Sequence, residues 1–319
     1  MYLFKYILKR IALMLMTFFI ITTMCFVLVK LLPSLPAEQF GKDMAIIMAR
    51  REMLGYNLPI MQQYARFWKY AFLGNFGVSE VLYIGQDVWK VFIQKLPYTM
   101  ALNLYAILFS IPLGIGLGIF AALKKNTWID HVISTGVMIV ASVPSFIYAF
   151  LVQYILYFKL GWASATMDTS MGPFSWVGFK SMIPAILSMS FVTIAGFARY
   201  TRAELTEVLT SEFMLLARTK GLTRAQATIR HAMRNAMVPI FPMILGEFIS
   251  IMSGSLIIEQ MFSIPGVGKL YVSSIQATPP DYNFFMLDSA FYTLIGLTAG
   301  IVVDISYSII DPRIRMGAK

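Results

Sequence analysis

The chain has 319 residues, 58% apolar and 13% charged, against about 45–50% and about 25% in soluble domains, a balance that excludes an ordinary soluble enzyme and a disordered chain. Its single cysteine, Cys25, excludes a disulfide framework or a cysteine zinc cluster. The formal charge of +10 would suit a nucleic-acid binder, but the basic inner loops of a polytopic membrane protein give the same sum, so the position of the charges decides.

About 20 apolar residues carry a helix across about 30 Å of hydrocarbon, because every backbone N–H and C=O must be satisfied within the segment. The first such stretch is Ile11 to Val29, preceded by Lys5, Lys9 and Arg10. It is longer than a signal-peptide core and lacks a small-x-small cleavage site, so it reads as a retained anchor. Residues 31–97 then form an external segment with helical patterning of its own. Tyr64, Phe67, Trp68 and Phe72 recur at helical spacing, as do Val88, Val91 and Phe92. The segment reads as a small helical subdomain resting on the membrane, used for packing or for docking an external partner.

The second and third spans, Tyr98 to Leu123 and Val132 to Phe158, carry no charge. Gly114, Gly116 and Gly118 imitate part of a dinucleotide fingerprint, but inside a span Gly114-x-x-x-Gly118 is better explained as a close helix contact. The fourth span is Ser181 to Ala198. After it, residues 199–236 describe two helices broken by one glycine. Ser211 suits a cap, Glu212 suits the positive helix end, and Phe213, Leu216 and Ala217 share a face. Arg218 and Lys220 suit the negative end, and Gly221 stops the helix. Thr223 and Gln226 form a capping box for the second helix. A positive-inside loop explains the charge alone, whereas the adjacent Phe213, Met214, Leu215 and Leu216 point to a soluble protein seated on this elbow.

The fifth span, Ala236 to Ile258, carries Glu247 at its midpoint. An acid at that depth costs about 2.5–3.5 kcal/mol on insertion scales, so it faces protein or water, either as an interhelix contact or lining a translocation path. The sixth, Phe284 to Ile310, carries Asp288 near the external end and Asp304 near the internal end, where both can reach an interface. With the N-terminus inside, the inner loops and termini hold fifteen Lys and Arg and the two short outer loops hold three. Both termini are therefore cytoplasmic.

Catalytic and metal sites find little support. The two histidines, His131 and His231, are too few for a metal centre or a triad and suit surface positions. A phosphate-binding loop needs G-x-x-x-x-G-K-[ST], whereas Gly268-Lys269 has Ser263 and Leu270 at the required places. The 22 methionines are first explained as flexible packing.

Five fragments, in order, carry a resemblance. They are Gln63-Tyr64 with Gly74 and Gly77; Leu96-Pro97-Tyr98-Thr99; Ala217-Arg218-Thr219-Lys220-Gly221-Leu222 with Arg230-His231-Ala232-Met233-Arg234-Asn235-Ala236-Met237-Val238-Pro239; Glu259-Gln260-Met261-Phe262-Ser263-Ile264-Pro265-Gly266-Val267-Gly268; and Asp311-Pro312-Arg313-Ile314-Arg315. Together they resemble the permease subunits of ABC importers of the oligopeptide, dipeptide and nickel class. Leu215-Leu216-Ala217 stands where the family's cytoplasmic loop has Glu-Ala-Ala, Ser34-Leu35-Pro36 replaces Gly-Asp-Pro, and Asn75-Phe76 replaces an acidic residue before Gly77.

The resemblance implies an all-α polytopic membrane protein with six transmembrane helices and the type I ABC importer permease fold. Its parts would be residues 1–30 (inner terminus and first helix), 31–97 (external segment), 98–310 (core, containing the coupling loop 199–236) and 311–319 (cytoplasmic tail). It further implies a non-enzymatic transport subunit in a prokaryotic cell membrane, paired with a second permease, two cytoplasmic ATPases that bind ATP and Mg, and an external substrate-binding protein. No nucleic acid and no directly bound cofactor are expected. ATPase coupling would fall to Glu212, Phe213, Leu216, Ala217, Arg218, Lys220 and Gly221, with Glu247 in the translocation path. The alternative is a self-sufficient secondary transporter or channel, motivated by Glu247.

Overall fold

The structure, a computed structural model, describes residues 2–31, 48–49, 52–53, 55, 57–253 and 255–310. Ser34-Leu35-Pro36 and the tail 311–319, with its Asp311-Pro312-Arg313-Ile314-Arg315, lie outside the described residues. Twelve helices are named here: α1 (Tyr2–Leu31), α2 (Ile60–Ala71), α3 (Val88–Leu123), α4 (Trp128–Ser142), α5 (Ser145–Gln153), α6 (Trp176–Leu209), α7 (Glu212–Thr219), α8 (Arg224–Ala227), α9 (Met233–Ile249), α10 (Leu256–Met261), α11 (Val267–Gln276) and α12 (Tyr282–Ile310). Five long apolar helices suffice to cross a membrane, and a bent pair supplies the sixth crossing.

That bent pair corrects the expectation of one continuous helix over Val132 to Phe158. α4 and α5 meet at 98°. Pro144 has no N–H to continue the ladder and forces Val143 into an extended conformation (φ −98°, ψ 127°), so α4 ends there. A π-helical turn, Tyr154–Lys159, completes the second arm.

α3 and α6 are the central pair. At 36 and 34 residues and about 1.5 Å per residue, each is about 50 Å long, well beyond the hydrocarbon thickness. α3 overshoots outward, because Val88, Val91 and Phe92 belong to it rather than to a separate subdomain; Asp87 caps it by accepting the Lys90 N–H at 2.9 Å. α6 overshoots inward by eleven residues past Ala198. The two cross where Gly114 and Gly118 lie. A Cβ on Gly114 would sit 2.7 Å from Phe197 Cβ, and one on Gly118 2.6 Å from the Ala198 carbonyl oxygen and from Thr201 Cβ. The small-residue motif is therefore a backbone contact, as expected.

The described part of the external segment packs against the helices. α2 runs along the outer half of α1: Trp68 stacks on Phe19 at 5.0 Å, Tyr64 meets Phe26 edge-on, and the Tyr64 and Thr23 hydroxyls are 2.7 Å apart. The following loop is pinned to the start of α12. Buried Asp281 accepts the Ser79 hydroxyl and the N–H groups of Val81 and Leu82, and Asn283 donates to the Val78 carbonyl. Val88, Val91, Phe92, Val267, Leu270, Phe284 and Leu287 close one core cluster beneath it.

The two acids of α12 behave differently. Asp304 meets Arg10 of α1 at 2.9 Å near the inner end, consistent with an interface position. Asp288 does not reach an interface: it is fully buried, and neither carboxylate oxygen has a hydrogen-bond partner. The helix there is enclosed on all sides, which the position in the sequence did not show.

Candidate functional site

The cytoplasmic elbow is built by local chemistry. α6 ends at Leu209, and a turn over Thr210 and Ser211 starts α7. The Ser211 hydroxyl donates to the Val208 carbonyl at 2.6 Å, so Ser211 secures the end of α6 rather than capping α7 with its side chain. α7 ends in a Schellman arrangement. Gly221 holds φ +88°, the Leu222 N–H donates to the Ala217 carbonyl at 3.4 Å, and Leu222 packs in the same cluster as Ala217. The predicted capping box is present in both directions: the Thr223 N–H donates to Gln226 Oε1 at 3.1 Å, and the Gln226 N–H to Thr223 Oγ1 at 3.3 Å. α8 then passes through a π-helical turn, Thr228–Ala232, straight into α9.

The faces of α7 differ from the expected set. Met214 (4% exposed) and Ala217 (7%) point inward, into a cluster with Ala122, Leu205, Ala227, Ala232 and Ala236. Ala217 is thus part of the seat of the elbow, because the i, i+3 pair Met214–Ala217 is the one that fits the small residues beneath. Leu215 (64%) and Leu216 (54%) point outward, as do Glu212, Thr219 and Lys220. Phe213 and Arg218 lie on α7, with side chains outside those described. Ile229, 71% exposed in the π-helical turn, adds a third large apolar group. Nothing in its local pattern marked it, since the expected helix had no π turn.

An ion pair braces the elbow from the membrane side. Arg202, on the inward overhang of α6, donates to Asp130 at the start of α4 through Nε (2.5 Å) and Nη2 (2.7 Å). Asp130 is 1% exposed and also accepts the Asn126 N–H and the Ser134 hydroxyl. Seventy-two residues separate the partners, and no local motif signals the pairing. His131 and His231 are exposed, as expected.

On the outer side, two of the quoted fragments meet. Glu259, fully buried on α10, accepts the Thr99 hydroxyl (2.9 Å) and the Lys269 N–H (3.0 Å), while Thr99 accepts the Val267 N–H (2.9 Å). The carboxylate therefore sits at the N-terminus of α11, where free N–H groups favour an anion. Gly266 is required here, since a Cβ would lie 2.4 Å from Thr99 Oγ1. Burial nevertheless dominates and pushes the Glu259 carboxyl up to about 7, against the opposing pull of the Lys269, Thr99 and Gly268 donors.

Glu247 is half-buried and stands two residues from the outer end of α9, not at the midpoint of its span. The spanning helix begins earlier than expected, at Ala225, and breaks after Met252. Asn103 of α3 donates to the carbonyls of Ile251 and Ser253, both at 3.0 Å, which satisfies the backbone freed by that break.

Comparison with known proteins agrees with this architecture. Residues 114–316 match the family of the binding-protein-dependent transport system inner membrane component. The dipeptide transport system permease protein DppB of Lactococcus lactis subsp. cremoris is 33% identical, over 98% of this chain and 99% of that protein. The oligopeptide transport system permease protein OppB of Haemophilus influenzae is 32% identical, over 98% and 99%. Among solved structures, an amino acid ABC transporter crystallised with histidines shares the fold, with a TM-score of 0.51 at 19% identity, over 69% of this chain and 94% of that one. A six-crossing helical bundle with a braced inner elbow, matched along its length by permeases, belongs to the family of inner membrane components of binding-protein-dependent transport systems, as the transmembrane subunit of an ABC importer.

Proposed function

We propose that this chain forms, with a second homologous permease, the path by which peptides or related small solutes cross a prokaryotic cell membrane. An external binding protein delivers the solute, and two cytoplasmic ATPases, which hold ATP and Mg, drive the cycle. The similarity to dipeptide and oligopeptide permeases supports the substrate class. Lys269, the lysine of the incomplete phosphate-loop motif, has its N–H committed to Glu259 on the outer side, which fits nucleotide chemistry residing on other subunits.

Coupling is assigned to residues 211–222. The observation that carries it is the division of α7 into an inward face, Met214 and Ala217, and an outward face, Leu215 and Leu216, on one short helix closed at its C-terminal end by the Gly221 turn. Such a helix moves as a rigid lever, so closure of an ATPase cleft around Leu215, Leu216 and Ile229 is passed to α6 and α9 without being absorbed by the turn. Gly221 ends the lever, while Glu212 and Lys220 supply its charged rim. Phe213 and Arg218 join this set by their positions on α7. Glu247 is assigned to the outer part of the path, and there Glu247→Gln is expected to alter solute uptake while leaving ATP hydrolysis coupled.

The test is reconstitution of the chain with and without its co-purifying ATPases. Uptake that requires both ATP and those subunits supports the reading; uptake by the lone chain on an ion gradient overturns it. In the second arm, Leu216→Glu is expected to release the ATPases from the membrane particle.

A further inference from the structure

Ile240, Ile244, Glu247 and Ile251 recur along α9 and the turn after it at spacings of four, three and four. The three isoleucines pack in one cluster with Ile107 and Ile111 of α3 and Phe197 of α6. Glu247 therefore continues an inward apolar stripe, while exposed Phe241 and Phe248 mark a different side of the helix. The side chain is half-buried. Among the described residues no hydrogen bond, ion pair or charged group engages its carboxylate. An acid within a spanning helix either pairs with another side chain or marks a substrate path. With no pair inside the chain, the counter-charge comes from outside it.

The surroundings suit a compact cation. The carbonyl end of α9 is the negative end of the helix dipole and lies within one turn of the carboxylate. Past it the backbone tightens into a 3₁₀ turn, Ser250–Met252, and Ser253 is extended (φ −82°, ψ 113°). The Asn103 amide holds the Ile251 and Ser253 carbonyls, so this break keeps a fixed shape. Met243, one turn before Glu247, is half-buried beside the same cluster, and its unbranched chain adapts to neighbours of different shape. A fixed point charge beside adaptable apolar surface fits an ammonium group on a body with variable side chains. A metal ion needs several donors, and among the described residues no group of three or more His, Cys, Asp or Glu is so placed.

We infer that Glu247 receives the α-ammonium group of a transported peptide as it enters from the outer side. The inference rests on the reading of the chain as a peptide permease and names the part of the substrate that the path holds. One carboxylate grips the cation that peptides with a free N-terminus share, and Met243 with the apolar stripe accepts whatever side chain follows.

The experiment uses the intact particle, with its second permease, ATPases and external binding protein, in vesicles. Uptake of alanyl-phenylalanine is compared with uptake of its N-acetyl derivative in the wild type, Glu247→Asp and Glu247→Gln. The binding protein is the same throughout, so its own preference cancels when the variants are compared. Glu247→Gln is expected to lower the preference for the free amine about tenfold, the low end for a hydrogen bond to a charged group. Glu247→Asp is expected to keep most of that preference. A dipeptide with a diazirine side chain should label α9 in the wild type and about tenfold less in Glu247→Gln, which reports occupancy even where a variant turns over poorly. The same preference in wild type and Glu247→Gln overturns the inference, whether uptake of both substrates is unchanged or falls equally; an equal fall makes Glu247 a structural residue of the path. Uptake that needs no ATP overturns the proposed function instead. Labelling that still requires the free amine and Glu247 then supports the inference, and labelling that requires neither overturns it.

Discussion

Arg202 holds Asp130 through two N–H groups, Nε and Nη2, on one edge of its guanidinium, and in doing so it joins the inward overhang of α6 to the first turn of α4. The elbow hangs from that overhang, so in the proposed coupling a push on α7 would reach the bent pair α4–α5 as well as α9. Arg202→Lys keeps the charge but cannot reproduce the fork, and Asp130→Asn removes the charge from a buried acceptor. Each is expected to cost about 2 kcal/mol of local stability, the scale of a charge-assisted hydrogen bond. Each should also lower the solute carried per ATP hydrolysed more than it lowers hydrolysis itself. A double-mutant cycle checks the pair directly, because losses that simply add would show that the two residues act independently.

Gly221 separates a conformational requirement from a spatial one. A Cβ there meets nothing within 4 Å, so only the backbone angle, φ +88°, resists substitution. Gly221→Ala is expected to destabilise the elbow by about 1–2 kcal/mol and to leave transport measurable. Gly221→Pro fixes φ near −65° and forbids the Schellman turn. It should abolish substrate-stimulated ATP hydrolysis by the assembly while the chain still inserts in the membrane. Full coupling in the proline variant would remove the lever from the mechanism.

The two faces of α7 should respond oppositely to mutation. Leu216→Ala removes an outward group and is expected to weaken ATPase binding about tenfold with no change in thermal unfolding of the chain. Ala217→Leu forces extra volume into the cluster with Ala122 and Leu205. Overpacking of that kind costs about 1–3 kcal/mol and should appear first as lower thermal stability. Binding measured by sedimentation of the ATPases with vesicles, alongside thermal unfolding, distinguishes the two outcomes.

Features set by near neighbours in the chain were legible without coordinates. The capping box of Thr223 and Gln226, the stop at Gly221 and the close approach at Gly114 and Gly118 each depend on a few residues and a fixed geometry. What was missed depends on distance or on burial. An uncharged run from Val132 to Phe158 looks the same straight or bent, and Pro144 alone does not announce a 98° turn, since prolines inside α3, α6 and α9 leave those helices continuous. Ala217 was placed outward by helical periodicity, which gives the faces of a helix but not which face is seated. Thr99 and Glu259 were both quoted as parts of a resemblance, yet their hydrogen bond spans 160 residues and emerges only when α3, α10 and α11 are brought together.

The burial of Glu259, against which that hydrogen bond works, gives the outer side a pH dependence with a definite sign. The Glu259 carboxyl titrates at about 7 in the folded protein, against an ordinary value of 4.5. Below 4.5 it is protonated in the folded and the opened states alike, and the clamp contributes its full stability. Between 4.5 and 7 the opened state ionises first, so stability falls as pH rises, and above 7 it levels off. The full change is about 3 kcal/mol for a shift of this size. Hydrogen exchange of the Val267 and Lys269 amides, corrected for the intrinsic pH dependence of exchange, should show protection declining across that window. Glu259→Gln cannot ionise and should flatten the profile, whereas Thr99→Val removes the hydroxyl donor and should push the titration higher still. A wild-type profile that is flat between 4.5 and 7 would show that the carboxylate is better solvated than its burial on α10 implies.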